Sequence, residues 1–118
     1  MMKLAEIRRL LDCDVLYGED LLEEIEVDSC FAADLMSDVL AFSRSGALLV
    51  TGLTSLQSVH TADIADLTAI LFIHDKRPNG PVVDVARHKH IPLLTTRRFM
   101  FEACGLLFDH GLKPAGRD

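Results

Sequence analysis

With 118 residues, 49% apolar and 25% charged, the chain has the length and composition of one globular domain that closes its core without disulfides, and not of a disordered segment. Its net charge of −6 and pI near 5.2 repel phosphates and anionic lipid at long range, which disfavours nucleic acid and membrane surfaces as partners. Cys13, Cys30 and Cys104 have no C-x-x-C spacing, so neither a disulfide framework nor a zinc knuckle is expected.

The first eleven residues carry Lys3, Glu6, Arg8 and Arg9 and lack the apolar run of a signal peptide. No stretch of about 18 apolar residues occurs anywhere, so a cytoplasmic location is expected. Leu4, Ile7, Leu10 and Leu11 recur at helical spacing and predict an amphipathic first helix ending near Asp12. Residues 15–17 and 25–31 read as short strands around an acidic turn at residues 18–20. A helix over residues 37–43 follows, with Ser37 as N-cap and Gly46 as its stop.

Three strand-helix units come next. Strand 47–51 leads through Gly52 to a helix in which Thr54 and Gln57 have capping-box spacing, with Leu56, Val59 and residues 62–64 inward. Strand 69–73 leads through a polar loop, residues 74–80, to a helix with Pro81 in its first turn and Val82, Val83, Val85 and Ala86 along it. Strand 91–95 precedes a helix over residues 98–110, closed by Gly111, and residues 114–118 read as a short frayed tail after a single domain of residues 1–113. Strands without polar alternation need cover on both faces, and helical connections make them parallel. The fold expected is a small three-layer α/β/α sandwich with a mainly parallel sheet.

In such sheets ligands bind beyond the carboxyl ends of the strands. That edge collects Thr51, Gly52, Thr54, His74, Lys76, Arg77, Thr96, Arg97 and Arg98, and these are the expected ligand-binding residues. Arg97 and Arg98 stand where a helix macrodipole disfavours cations, so an anion held by them with Lys76 and Arg77 would account for the placement. The plainer readings are solvated cations paired with Asp34, Asp38 or Asp75, and threonines that only cap or end elements. His88 and His90 point apart on a helix end and have no third ligand at an obvious spacing, so no metal or cofactor is assigned.

The last helix is apolar almost all round. Met100, Phe101, Cys104, Leu107 and Phe108 are the expected interface residues of a homodimer, internal packing being the alternative.

The stretch from residue 28 to 107, carrying SCFAADLMSDVLAFSRSGALLVTGLTS, AILFIHDKRP and IPLLTTRRFMFEACG, resembles the DRTGG domain family, and the leading KLAEIRRLL and DVLYGEDLL fit its stand-alone members. The resemblance implies a fold like the N-terminal domain of HPr kinase and an accessory or regulatory role beside a partner enzyme, often as a dimer. Where many members carry Gly-Asp-Arg and a later Thr-Gly-Gly, this chain has Gly52-Leu53-Thr54 and Ile73-His74-Asp75, so contacts made by those motifs are not carried over. Nor is a kinase label. Residues 46–54 have one residue too many between their glycines for a phosphate loop, and Leu53 stands where the phosphate-binding lysine belongs. The expectation is a non-enzymatic regulatory module binding a small anionic metabolite or nucleotide. The alternatives are a structural docking adaptor and, third, a small phosphotransfer or hydrolytic enzyme.

Overall fold

A computed structural model describes residues 1–116. Along the chain come β1 (Met2–Lys3), α1 (Leu4–Leu11), β2 (Asp14–Tyr17), a 3-10 turn (Glu19–Leu21), β3 (Glu26–Val27), β4 (Ser29–Ala32) and α2 (Met36–Phe42). Then follow β5 (Leu48–Thr51), α3 (Leu56–Ile64), β6 (Ala69–Phe72), α4 (Gly80–Lys89), β7 (Leu93–Thr95), α5 (Met100–Asp109) and β8 (Lys113–Pro114).

Strands β5 and β6 are buried along their whole length, which two covering layers require. The six-stranded sheet has the order β2-β7-β6-β5-β4-β8; β4 through β7 and β8 are parallel to their neighbours, and β2 joins β7 antiparallel. Consecutive parallel neighbours are joined through α2, α3 and α4, and one hand of crossover puts these three helices on one face. After β7 the chain returns to the opposite edge as β8, which carries α5 to the other face beside α1. Leu49, Ile70, Phe72 and Leu93 pack under α2, α3 and α4, while Leu48, Val50, Leu71 and Leu94 pack under α1 and α5. The chain is therefore an α/β/α sandwich with a mainly parallel sheet. A separate two-stranded antiparallel pair, β1 with β3, holds the start of α1.

Several boundaries differ from expectation. Strand 25–31 divides at Asp28, because β3 pairs with β1 and β4 with the main sheet. Helix α2 starts at Met36 behind Leu35, leaving Ser37 inside it, and stops at Ser43, whose hydroxyl donates to the Val39 carbonyl at 2.6 Å; Gly46 lies beyond. Ser55, not Thr54, is the N-cap residue of α3, so the Thr54 and Gln57 capping box does not form. Its buried face is Ser58, Val59, Thr61 and Ala62, with Leu56 and Ile64 exposed. Helix α5 starts at Met100 rather than Arg98.

The expected tail from Pro114 is instead part of the sheet as far as the described residues run. Strand β4 would otherwise present an open edge; Lys113 and Pro114 cover it, and Ala115 is buried with its N–H donating to the Cys30 carbonyl at 3.0 Å. Proline is tolerated there because an edge position needs no N–H on its outer side. Residues 117 and 118 of that tail lie outside the described residues.

Candidate functional site

Parallel strands β4 to β7 bring their carboxyl ends to one edge, and antiparallel β2 delivers Asp14 to the same edge opposite Thr95. After β4, Asp34 turns inward. Its Oδ1 accepts the Gly52 N–H at 2.7 Å and the Thr51 hydroxyl at 3.1 Å, while Thr51 Oγ1 accepts the Leu53 N–H at 3.1 Å. The Thr51 hydroxyl and the Gly52 N–H are thus engaged in shaping the loop, and Thr51 is fully buried. Thr54 lies further along, half-buried on the rim.

After β6 the chain makes a tight turn with His74 at φ 58° and Asp75 at φ 54°, closed by the Lys76 N–H on the Ile73 carbonyl at 3.1 Å, the type I′ pattern without glycine. Each left-handed residue costs about 1–2 kcal/mol. The neighbouring β7–α5 loop offsets this: the His74 N–H donates to the Arg98 carbonyl at 2.8 Å, and the Asp75 N–H to the Thr96 carbonyl at 2.7 Å. The exposed His74 ring stacks on Phe99 with centroids 4.0 Å apart. Thr95 and Thr96 are fasteners, their hydroxyls donating to the carbonyls of Lys76 at 2.8 Å and Leu11 at 2.7 Å. Thr96 is buried, and its hydroxyl is engaged within the fold.

The four cations do not converge. Arg77 is clamped by Asp14 and by Asp75, whose Oδ1 accepts its Nη2 at 2.8 Å. Arg98 pairs with Glu102 at 2.7 Å, a helix-compatible spacing. Asp14 is held below the ordinary carboxylate range, first by the Arg77 hydrogen bond and charge and further by Arg97 and Arg8. Among the described residues, Lys76 and Arg97 make no ion pair. Lys76 Nζ stands 3.4 Å from the point a Gly52 Cβ would occupy, with Asp34 Oδ1 3.5 Å from the same point. Arg97 lies near enough to Asp14 to help lower its carboxyl. The cationic edge is thus two separate positions, at Gly52 and at Asp14.

Between the β5–α3 loop and the start of α4 lies a cleft of about 720 Å³. Its rim is Gly52, Thr54, Ser55, Arg77 and Asn79, of which Gly52, Thr54 and Arg77 were expected from the sequence, and its wall is Leu53, Leu56, Pro81, Val82 and Val85. That volume and that mixture of apolar wall and few polar groups are those of small-molecule sites. Asn79 holds the α4 end of the cleft, its Oδ1 accepting the Val82 N–H at 3.1 Å. No side chain caps α3. Sequence reasoning missed Ser55, Asn79 and the wall; the Asn79-Gly80-Pro81 run carried the signal for a cap and first turn.

The expected interface set on α5 divides. Leu107 is buried in the core, Met100 and Cys104 are half-buried, and Phe101 and Phe108 are 92% and 69% exposed. Among the described residues no helix is long and apolar enough to cross a membrane.

No family model matches the chain, and no curated protein matches it. Among solved structures it is similar to the crystal structure of the CBS and DRTGG domains of the regulatory region of Clostridium perfringens pyrophosphatase, complexed with the activator diadenosine tetraphosphate. The TM-score is 0.77 at 14% identity, covering 97% of this chain and 48% of that one. The chain has a DRTGG-like fold. It spans about half the length of the solved chain it matches, and at that identity the DRTGG likeness is one of architecture.

Proposed function

We propose that this DRTGG-like chain is a non-enzymatic regulatory module that takes a small anionic metabolite or nucleotide into the cleft beyond β5 and β6. The observation that carries the reading is the cleft itself, which joins a wall of Leu53, Leu56, Pro81, Val82 and Val85 to a polar rim at the strand carboxyl ends. A flat base suits the wall. Phosphate suits the uncapped start of α3 with Lys76 beside Gly52. The nucleotide activator bound by the regulatory region of the pyrophosphatase supports the ligand class. Regulation of a partner enzyme, a homodimeric state, a cytoplasmic location and kinship with the HPr kinase N-terminal domain belong to the same reading. A non-catalytic role is supported by Leu53 in the place of a phosphate-loop lysine.

The test is thermal denaturation with adenine nucleotides, diadenosine tetraphosphate and inorganic pyrophosphate. A ligand at 100 times its Kd stabilises by about 2.7 kcal/mol, a shift of several degrees. The shift is expected to fall in Lys76→Ala and in Val82→Glu. No shift with any of these anions, or shifts unchanged in both variants, would overturn the proposal.

A second reading, a docking adaptor that needs no ligand, is favoured by the exposed Phe101 and Phe108.

A further inference from the structure

Far from the cleft, two of the three thiols lie in one layer between the sheet and α5. Cys30 on β4 and Cys104 on α5 are neighbours in one groove, and neither is cross-linked. Both line one groove of about 180 Å³ with Leu107, Phe108, Leu112, Pro114 and the cationic Lys113. Cys30 is fixed by its strand, paired with Leu48 on one side and Pro114 on the other. Cys104 is fixed by α5, between the buried Ala103 and Leu107.

We propose that Cys30 and Cys104 form a redox dithiol that a small hydroperoxide oxidises to an intramolecular disulfide bridging β4 and α5. The two thiols are unlike in character. The neighbouring Cys30 lowers the Cys104 thiol to about 7, while Cys104 and burial push Cys30 up, so Cys104 is the attacking thiolate in this scheme. The Cys104 thiolate attacks one peroxide oxygen, the O–O bond breaks, and the departing oxygen takes a proton to leave as water from hydrogen peroxide or an alcohol from an alkyl hydroperoxide. Cys104 is then a sulfenic acid. Cys30 sulfur attacks the Cys104 sulfur, the S–O bond breaks, and the hydroxyl leaves as water with the Cys30 proton. Two thiols lose two electrons and the peroxide gains them. The groove is several times the volume of one water, so it admits a small peroxide. Cys13 is a built-in spectator, buried with its S–H on the Ile7 carbonyl at 3.9 Å. The chemistry does not depend on the ligand reading, since the pair lies on the α1 and α5 side of the sheet.

The test treats the full reduced chain with equimolar hydrogen peroxide. Free thiols are expected to fall from three to one, with a non-reduced digest linking the Cys30 and Cys104 peptides and dithiothreitol restoring all three. The melting temperature should rise by about 5 °C or more, because the bridge closes a long loop. In Cys30→Ser, Cys104 should stop at a sulfenic acid that dimedone traps; in Cys104→Ser, Cys30 should stay reduced. Three surviving thiols, a sulfinic acid on Cys104 without a cross-link, or a disulfide only between chains would each overturn the proposal.

Discussion

At Gly18 the backbone turns with φ 99° while Pro92 packs against it, and a Cβ there would stand 2.9 Å from Pro92 Cβ. Gly18→Ala is therefore expected to cost about 2 kcal/mol or more, combining left-handed strain with a steric clash. Gly46→Ala, at φ 85° in open space, meets only the first of these and should cost less. Urea denaturation of the two variants checks the ranking; equal losses would deny the Pro92 contact its role. Neighbours as well as burial separate the thiols, Cys30 being what lowers Cys104. Cys13 is pushed up to about 12 by desolvation and by Asp12 and Asp14, whereas Cys104 lies at about 7, faced by Cys30 from β4 and Lys113 from β8. Iodoacetamide labelling of the folded chain should thus fall on Cys104 with a rate that climbs through pH about 7 and then levels, Cys13 remaining unlabelled. A Cys104 rate still climbing at pH about 9 would contradict this. Residue identity placed Thr51, Thr95 and Thr96 at strand ends. It did not reveal that their hydroxyls are spent on Asp34, Lys76 and Leu11, because those partners come from other elements.

Elements whose cause is local were legible, and those whose cause is remote were not. Strands β5, β6 and β7 are apolar runs with a polar residue only at the threonine ends of β5 and β7, and the layered architecture follows from them. Strand β8 was hidden because two residues ending in proline carry no strand signal of their own; only the open edge of β4 makes them a strand. Helix caps fell between these cases. Asn79→Ala is expected to lose about 1 kcal/mol by removing the acceptor for the Val82 N–H, while Thr54→Ala should be nearly neutral to α3, since Ser55 occupies its cap. Chemical denaturation of both variants decides it; a loss at Thr54 matching that at Asn79 would restore the capping box. On α5 the split between buried Leu107 and exposed Phe101 and Phe108 refines the expected dimer face to two aromatics. If they hold a dimer, Phe101→Asp with Phe108→Asp should sediment as a monomer without loss of fold, and an unchanged sedimentation coefficient would remove α5 from the interface.

For the molecule as a whole, β2 is the outlying member of the sheet, antiparallel and joined to β7 alone. Arg77 reaches it from the β6–α4 loop, holding Asp14 at the start of β2 and Asp75 beside its own strand, so one guanidinium ties the edge to the carboxyl end of the sheet. That clamp has a pH signature. Folding lowers the Asp14 carboxyl, foremost through Arg77, and Arg77 itself is raised and charged throughout the acid range. A carboxyl lowered on folding contributes stability that is present above its unfolded pKa of about 3.9 and is lost as pH falls through the folded value. Wild type should therefore exceed Asp14→Asn in stability at neutral pH, and the two denaturation curves should converge below about pH 4 as Asp14 takes up its proton. Both partners are solvent-exposed, so the gap should also narrow in molar salt, where the screening length shrinks to about 3 Å. Curves that stayed parallel from neutral to acid pH would mean that Asp14 acts through shape rather than charge. Then β2 would be held by its ladder to β7 alone, and Arg77 would be free to serve the rim of the cleft it lines.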